Sequence, residues 1–199
     1  MTPIVPLSDR NSTIRRAVFD LVLQGGVEAI TQQAVADEIG MSLSSVRRWM
    51  TVDELPPSGL EWIEHRQRRR RFEPVPGELV ADSVKARVFN TLLRELPFDS
   101  ERRDEEIVWL RLVTAFAGKA WADDERKARH TYLQRIAVTL TDDLPGEAVR
   151  DEQLRLISLI YGVTAAAREG VLEPADSLRL VRDQVLRLNT GLRDLQKTS

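Results

Sequence analysis

Apolar residues recur at helical spacing along almost the whole chain, and no segment alternates with the two-residue rhythm of a half-buried strand. The pattern therefore predicts an all-α protein. A first helix is expected from Ser12 or Thr13 to Gln24, with Ile14, Ala17, Val18, Leu21 and Val22 on one side and Gly25-Gly26 as its stop. Thr31 then caps a second helix that runs to Ile39 and ends at Gly40. Ser42 caps a third, Leu43 to Met50, after a turn of only two residues. Two short helices joined by a glycine turn form a helix-turn-helix pattern.

Pro56-Pro57 suits only the first turn of a helix, so a fourth is placed from about Pro57 to Phe72. Residues 73–78, EPVPGE, read as a linker. Five longer helices follow, over about 78–96, 101–121, 124–142, 148–169 and 175–196, enough for one bundle-like domain. The domains expected are 9–55, a three-helix helix-turn-helix head, and 56–199, a helical bundle.

The last helix carries Leu178, Val181, Val185, Leu188, Leu192 and Leu195 at steps of 3, 4, 3, 4 and 3, a heptad seam. The helix before it is apolar on two faces: Leu154, Ile157 and Tyr161 on one, Leu156, Ile160 and Val163 on the other. A helix apolar on two sides needs two partners. Leu156, Ile160 and Val163 with Leu178, Val181, Val185, Leu188 and Leu192 are read as half of a four-helix homodimer interface; the alternative is that both faces pack within one subunit.

Charge limits the possible partners. The net charge is -2, and residues 1–72 hold ten arginines against nine acids, so nucleic-acid binding cannot rest on bulk electrostatics. It needs a local site, and the third helix offers one. Leu43, Val46 and Met50 share a face that should anchor the helix, while Ser44, Ser45, Arg47 and Arg48 point elsewhere. Short hydroxyl side chains allow close approach to a major groove, and guanidinium groups suit phosphates or the O6 and N7 of guanine. Thr31, Gln33 and Ser42, at the two helix starts, are counted with them as DNA-contacting positions. Two exposed arginines alone would equally fit a solvated helix.

Residues 14–50, IRRAVFDLVLQGGVEAITQQAVADEIGMSLSSVRRWM, resemble the DNA-binding domain of the tetracycline-repressor (TetR) family of bacterial transcriptional regulators. The resemblance rests on the first-helix pattern, the Thr31 cap, VADEIGMS before the third helix, and that helix directly after. It implies a homodimer that binds a palindromic double-stranded DNA operator and is released by a small-molecule effector held in the helical domain. Where the family commonly has a tyrosine that touches phosphate, this chain has Arg47, and where it has a lysine, Asp53. An acid there repels phosphate. Leu43 stands where the family often faces bases, although its spacing faces it inward.

For the effector, Phe89, Trp109, Phe116, Tyr132 and Tyr161 could line a cavity, with His130 and Thr164 as polar contacts; aromatic residues at helical spacing equally suit a core. The run HRQRRRRF at 65–72 lies too far from the third helix to join it, because residue 70 sits about 20 Å along at about 1.5 Å per residue. It suits a helix C-terminus, which favours cations.

The remaining classes are excluded or unsupported. There is no cysteine and the two histidines lie far apart, so neither disulfides, a metal site nor any cofactor is expected. No phosphate loop, nucleophile elbow or zinc-protease motif occurs. Asp104, Glu105 and Glu106 read as a solvated helix start, and no enzymatic activity is expected. With no targeting segment or spanning stretch, a cytoplasmic protein away from the membrane is expected. The competing function is a helical dimer that senses a ligand or binds a protein without binding an operator.

Overall fold

A computed structural model describes residues 7–70, 84–141 and 146–187. Among these the regular structure is helical: α1 (Leu7–Gly25), α2 (Gln32–Glu38), α3 (Leu43–Trp49), α4 (Leu55–Arg70), α5 (Val84–Glu95), α6 (Ser100–Ala115), α7 (Ala120–Thr141), α8 (Gly146–Arg168) and α9 (Pro174–Arg187), with short 3-10 turns at Val27–Ala29 and Val52–Glu54. The expected linker at 73–78 lies outside the described residues. The expected helix over 101–121 is in fact broken: α6 stops at Ala115, and Gly118, at φ 90°, takes a left-handed conformation that side chains disfavour before α7 begins.

Two compact units emerge, residues 1–72 with 107–126, and residues 73–106 with 127–199. In the first, α1 and α4 form the most extensive helix pair among the described residues. Ile14, Val18 and Val22 of α1, Val35 of α2, Val46 of α3, Leu55 of α4 and Val108 and Leu112 of α6 are wholly buried together. Each such side chain contributes about 1.5–3 kcal/mol relative to exposure. Gly59 lets α4 approach closely, its Cα lying under Leu112 and Val18. Pro56 and Pro57 fall in the first turn of α4, where their missing N–H groups leave no bond unmade.

In the second unit Phe89, Leu92, Leu93 and Leu96, from α5 and its end, pack with Leu133 and Ile136 of α7, Ile160 and Val163 of α8 and Val181 and Val185 of α9. This corrects the expected dimer interface. Leu156, Ile160, Val163, Val181 and Val185 are buried in the protomer's own core, and Leu178 packs half-buried against it. The heptad seam of α9 meets α5 and α8 of the same chain. Leu188 and Leu192 lie outside the described residues. The other stripe of α8 faces out: Leu154 and Tyr161 are 56% and 45% exposed.

Two acids also depart from expectation. Glu105 and Glu106 are buried, and Glu106 is paired with Arg129 of α7. The start of α6 is capped by Asp99, whose carboxylate accepts from the Arg102 amide at 2.7 Å, while the buried Arg102 guanidinium donates to carbonyls of Leu93 and Leu96. Helix α6 is thus wrapped by neighbours along its first turns, and its acids cannot all reach water.

Candidate nucleic-acid interface

The head is built from caps. Thr31 has extended backbone angles and its hydroxyl accepts from the Ala34 amide at 3.0 Å, which starts α2. Helix α2 ends at Glu38 with Ile39 as its C-cap, and Gly40, at φ 64°, lets the Met41 amide fold back to the Ala36 carbonyl at 2.9 Å. Ser42 then accepts from the Ser45 amide at 3.2 Å, and its hydroxyl also meets those of Ser44 at 3.0 Å and Ser45 at 2.8 Å. Glycine and serine leave no slack between the helices.

Helix α3 puts Val46 and the following Met50 into the core. At about 100° per residue Ser44, Arg47 and Arg48 share the opposite side, and all three are exposed, as is Ser42. Leu43 and Ser45 are half-buried, and two of the three expected anchors, Val46 and Met50, lie in the core. Trp49 packs at the core's edge. Thr31 and Gln33 are exposed, and the Gln33 amide donates to Asp37 at 2.7 Å.

The turn after α3 is acidic. Glu54 accepts from the Thr51 amide at 2.7 Å and the Thr51 hydroxyl at 2.8 Å, closing a capping box. The amide first, then the hydroxyl, holds the Glu54 carboxyl below the usual carboxylate range. Asp53 beside it is exposed. The two arginines of α3 thus stand next to a negative turn, where the family pattern would have a lysine.

Two structural residues escaped sequence reasoning. Gln32 donates its side-chain amide to the Met50 carbonyl at 2.9 Å, joining the start of α2 to the end of α3. Arg111 of α6 donates to the carbonyls of Val22 and Leu23, at 2.6 and 2.8 Å, in the last turn of α1. Its charge suits the negative end of that helix. All three bonds span long sequence separations, and no local pattern announces them.

The expected effector residues are divided between the two units. Trp109 and Phe116 pack on the core of the first unit, and Phe116 lies 5.4 Å from Trp121, ring centre to ring centre. Phe89 is buried and Tyr132 half-buried in the second unit, where Thr164 is also buried. His130 is exposed and meets Gln134 at 2.9 Å, and Tyr161 faces out. Of the arginine run, Arg66 lies over the ring of Phe19 at 5.5 Å and Arg68 pairs with Glu64 at 2.9 Å, so part of it serves α4 itself.

No protein-family model matches the chain. It is 26% identical over 185 residues to the HTH-type transcriptional regulator PksA of Bacillus subtilis, covering 90% of this chain and 85% of that protein. Its fold is shared by a transcriptional regulator from Rhodococcus, at 20% identity and TM-score 0.69 over 91% of this chain and 96% of the other. A TetR-like transcriptional regulator from the same genus gives 19% and 0.66 over 92% and 97%. A protein from Saccharomonospora viridis solved in complex with choline gives 19% and 0.67 over 90% and 95%. Among the described residues no helix is long and apolar enough to cross a membrane. The chain thus pairs a capped helix-turn-helix with the all-α fold of these solved regulators, and its sequence is similar to that of a helix-turn-helix transcriptional regulator.

Proposed function

We propose that this protein is a cytoplasmic transcriptional repressor that binds a palindromic operator as a homodimer and is released by a small-molecule effector. One observation carries the reading: Ser44, Arg47 and Arg48 stand exposed on one side of α3 while Val46 and Met50 fix its other side in the core. Such a helix presents hydroxyls and guanidinium groups at a fixed depth, as insertion into a major groove requires. Arg47 takes over phosphate contact with a full charge, and Ser44 and Ser45 approach the base edges. Residues 9–55 are the reading head and 56–199 the effector and dimerisation part.

The partner face is the outward stripe of α8, with Leu154 and Tyr161 as its exposed apolar residues. The effector site lies in the second unit, where Tyr132 and Thr164 supply polar tips beside apolar surface. The choline complex of the Saccharomonospora protein is a precedent for a small ligand on this fold. Release is a population shift: an effector that favours the wrong spacing of two heads weakens binding by its differential affinity for the two states.

The test is fluorescence anisotropy with labelled fragments of the gene's own upstream region across a salt series. The protein should bind one fragment with a steep salt dependence, and Arg47→Ala and Arg48→Ala should each reduce the slope of log K against log salt by about 1. Retention of every upstream fragment at background signal with micromolar protein would sink the operator reading. It would favour the helical ligand-sensing or protein-interaction module, to which Asp53 and the nearly neutral head lend support.

A further inference from the structure

We infer that Gln32 is a positioning residue for the reading helix, a clamp that sets the angle of α3 against α2; the inference deepens, and rests on, the operator-binding reading above. Gln32 is the first residue of α2, and Met50 is the residue at which α3 ends. Met50 has left the helix, with φ -153° and ψ 127°, though its amide still bonds the Val46 carbonyl at 2.9 Å. Its own carbonyl therefore points out of the helical ladder and has no amide four residues on to receive. The Gln32 side chain supplies the donor, at 2.9 Å in a partly buried position. A carbonyl only accepts, so the atom facing it is the amide nitrogen.

The position of this bond gives it leverage. At one end the α2–α3 pair is closed by the Gly40-Met41 turn and its bond from Met41 to Ala36. At the other end, where Arg47 and Arg48 stand in the last turn of α3, the Gln32 side chain ties the two helices together. Val46, Trp49 and Met50 pack this end of α3 on the core, and the Gln32 bond adds direction to that hold, because apolar packing is not directional. A seven-residue helix is about 10 Å long, and a tilt of about 10° moves its far end by about 2 Å. That is enough to take a guanidinium out of bidentate range of a base. Gln33, the adjacent residue on α2, spends its amide on Asp37 within the same helix and cannot substitute.

The variants are Gln32→Met, which keeps the length and removes the donor, and Gln32→Glu, which keeps the shape and places an acceptor against the carbonyl. Two measurements are made on the full chain. In native-state hydrogen exchange, both variants should speed exchange of the Trp49 and Met50 amides several-fold and leave the α1 amides unchanged; unchanged exchange at α3 overturns the clamp. In anisotropy against the retained upstream fragment, both should weaken specific binding by about three- to ten-fold, the loss expected for one hydrogen bond, with binding to unrelated DNA nearly unchanged. In the Gln32→Met background Arg47→Ala and Arg48→Ala should cost less than in the wild type, because a misplaced arginine has less to lose.

Strict additivity would mean that Gln32 does not act through those arginines and would overturn the positioning role. A drop in melting temperature alone, with DNA affinity unchanged, would reduce Gln32 to an ordinary structural bond and likewise overturn it. If the wild type binds no upstream fragment, the operator reading fails on that result, and the exchange data alone decide whether the clamp holds α3.

Discussion

Gly59 offers a prediction whose sign is set by the packing. Replacing glycine with alanine inside a helix ordinarily stabilises by about 0.5–1 kcal/mol, because glycine loses more backbone freedom on folding. At Gly59 the new Cβ would lie 3.1 Å from Leu112 Cδ1 and 3.3 Å from Val18 Cγ1, inside the roughly 3.5–4.0 Å at which carbon atoms attract. Both neighbours are wholly buried and cannot withdraw towards solvent. Overpacking of this kind costs about 1–3 kcal/mol, which exceeds the gain in backbone freedom. Gly59→Ala should therefore destabilise by about 1 kcal/mol net, a fall of about 2–4 °C in melting temperature for a chain of this size. Gly59→Val, with two further methyls on a stiff branch, should fall well below that. Calorimetric melts of the three proteins at equal concentration decide it. If Gly59→Ala melts at or above the wild-type temperature, α1, α4 and α6 are not as closely packed as described.

The remaining predictions concern the two surfaces. Asp53→Lys removes a negative charge beside α3 and adds a positive one, so operator affinity should rise and the salt slope steepen by about 1; an unchanged slope would mean that this turn does not approach phosphate. Tyr161→Arg, on the outward stripe of α8, should lower the mass seen in light scattering to that of the monomer while the melt stays cooperative, and a persistent dimer would remove that stripe from the interface.

What the sequence announced and what it hid differ for a physical reason. Thr31, Gly40 and Ser42 act on backbone groups within four or five residues, so cap and turn chemistry written locally was enough to place α2 and α3. The exposure of Arg47 and Arg48 followed from the same spacing that buried Val46. The second unit was harder. Leu154 and Tyr161 lie on one side of α8 and Leu156, Ile160 and Val163 on another, and both stripes obey the same helical period. Periodicity says that each needs cover; only the path of α5 and α9 shows which is covered by the protomer itself. Glu105 and Glu106 misled similarly, because acids at a helix start normally meet water, and their burial depends on neighbours such as Arg129 that are far along the chain. Gln32 and Arg111 reach partners 18 and 89 residues away, a range at which composition carries no signal.

The shortness of α3 carries a consequence for recognition. Its seven residues cover about 10 Å, the rise of about three base pairs at about 3.4 Å each. With four distinguishable pairs at each step, three steps separate only about 64 words, whereas a genome offers about 10⁶–10⁹ competing positions. One head would thus find its word everywhere and be held by decoys. On the proposed operator reading, selectivity would be assembled from joint occupancy by two heads and from the bendability of base pairs that neither head touches. A regulator so built can be switched off without altering a single base contact, by making the two short words impossible to read at once.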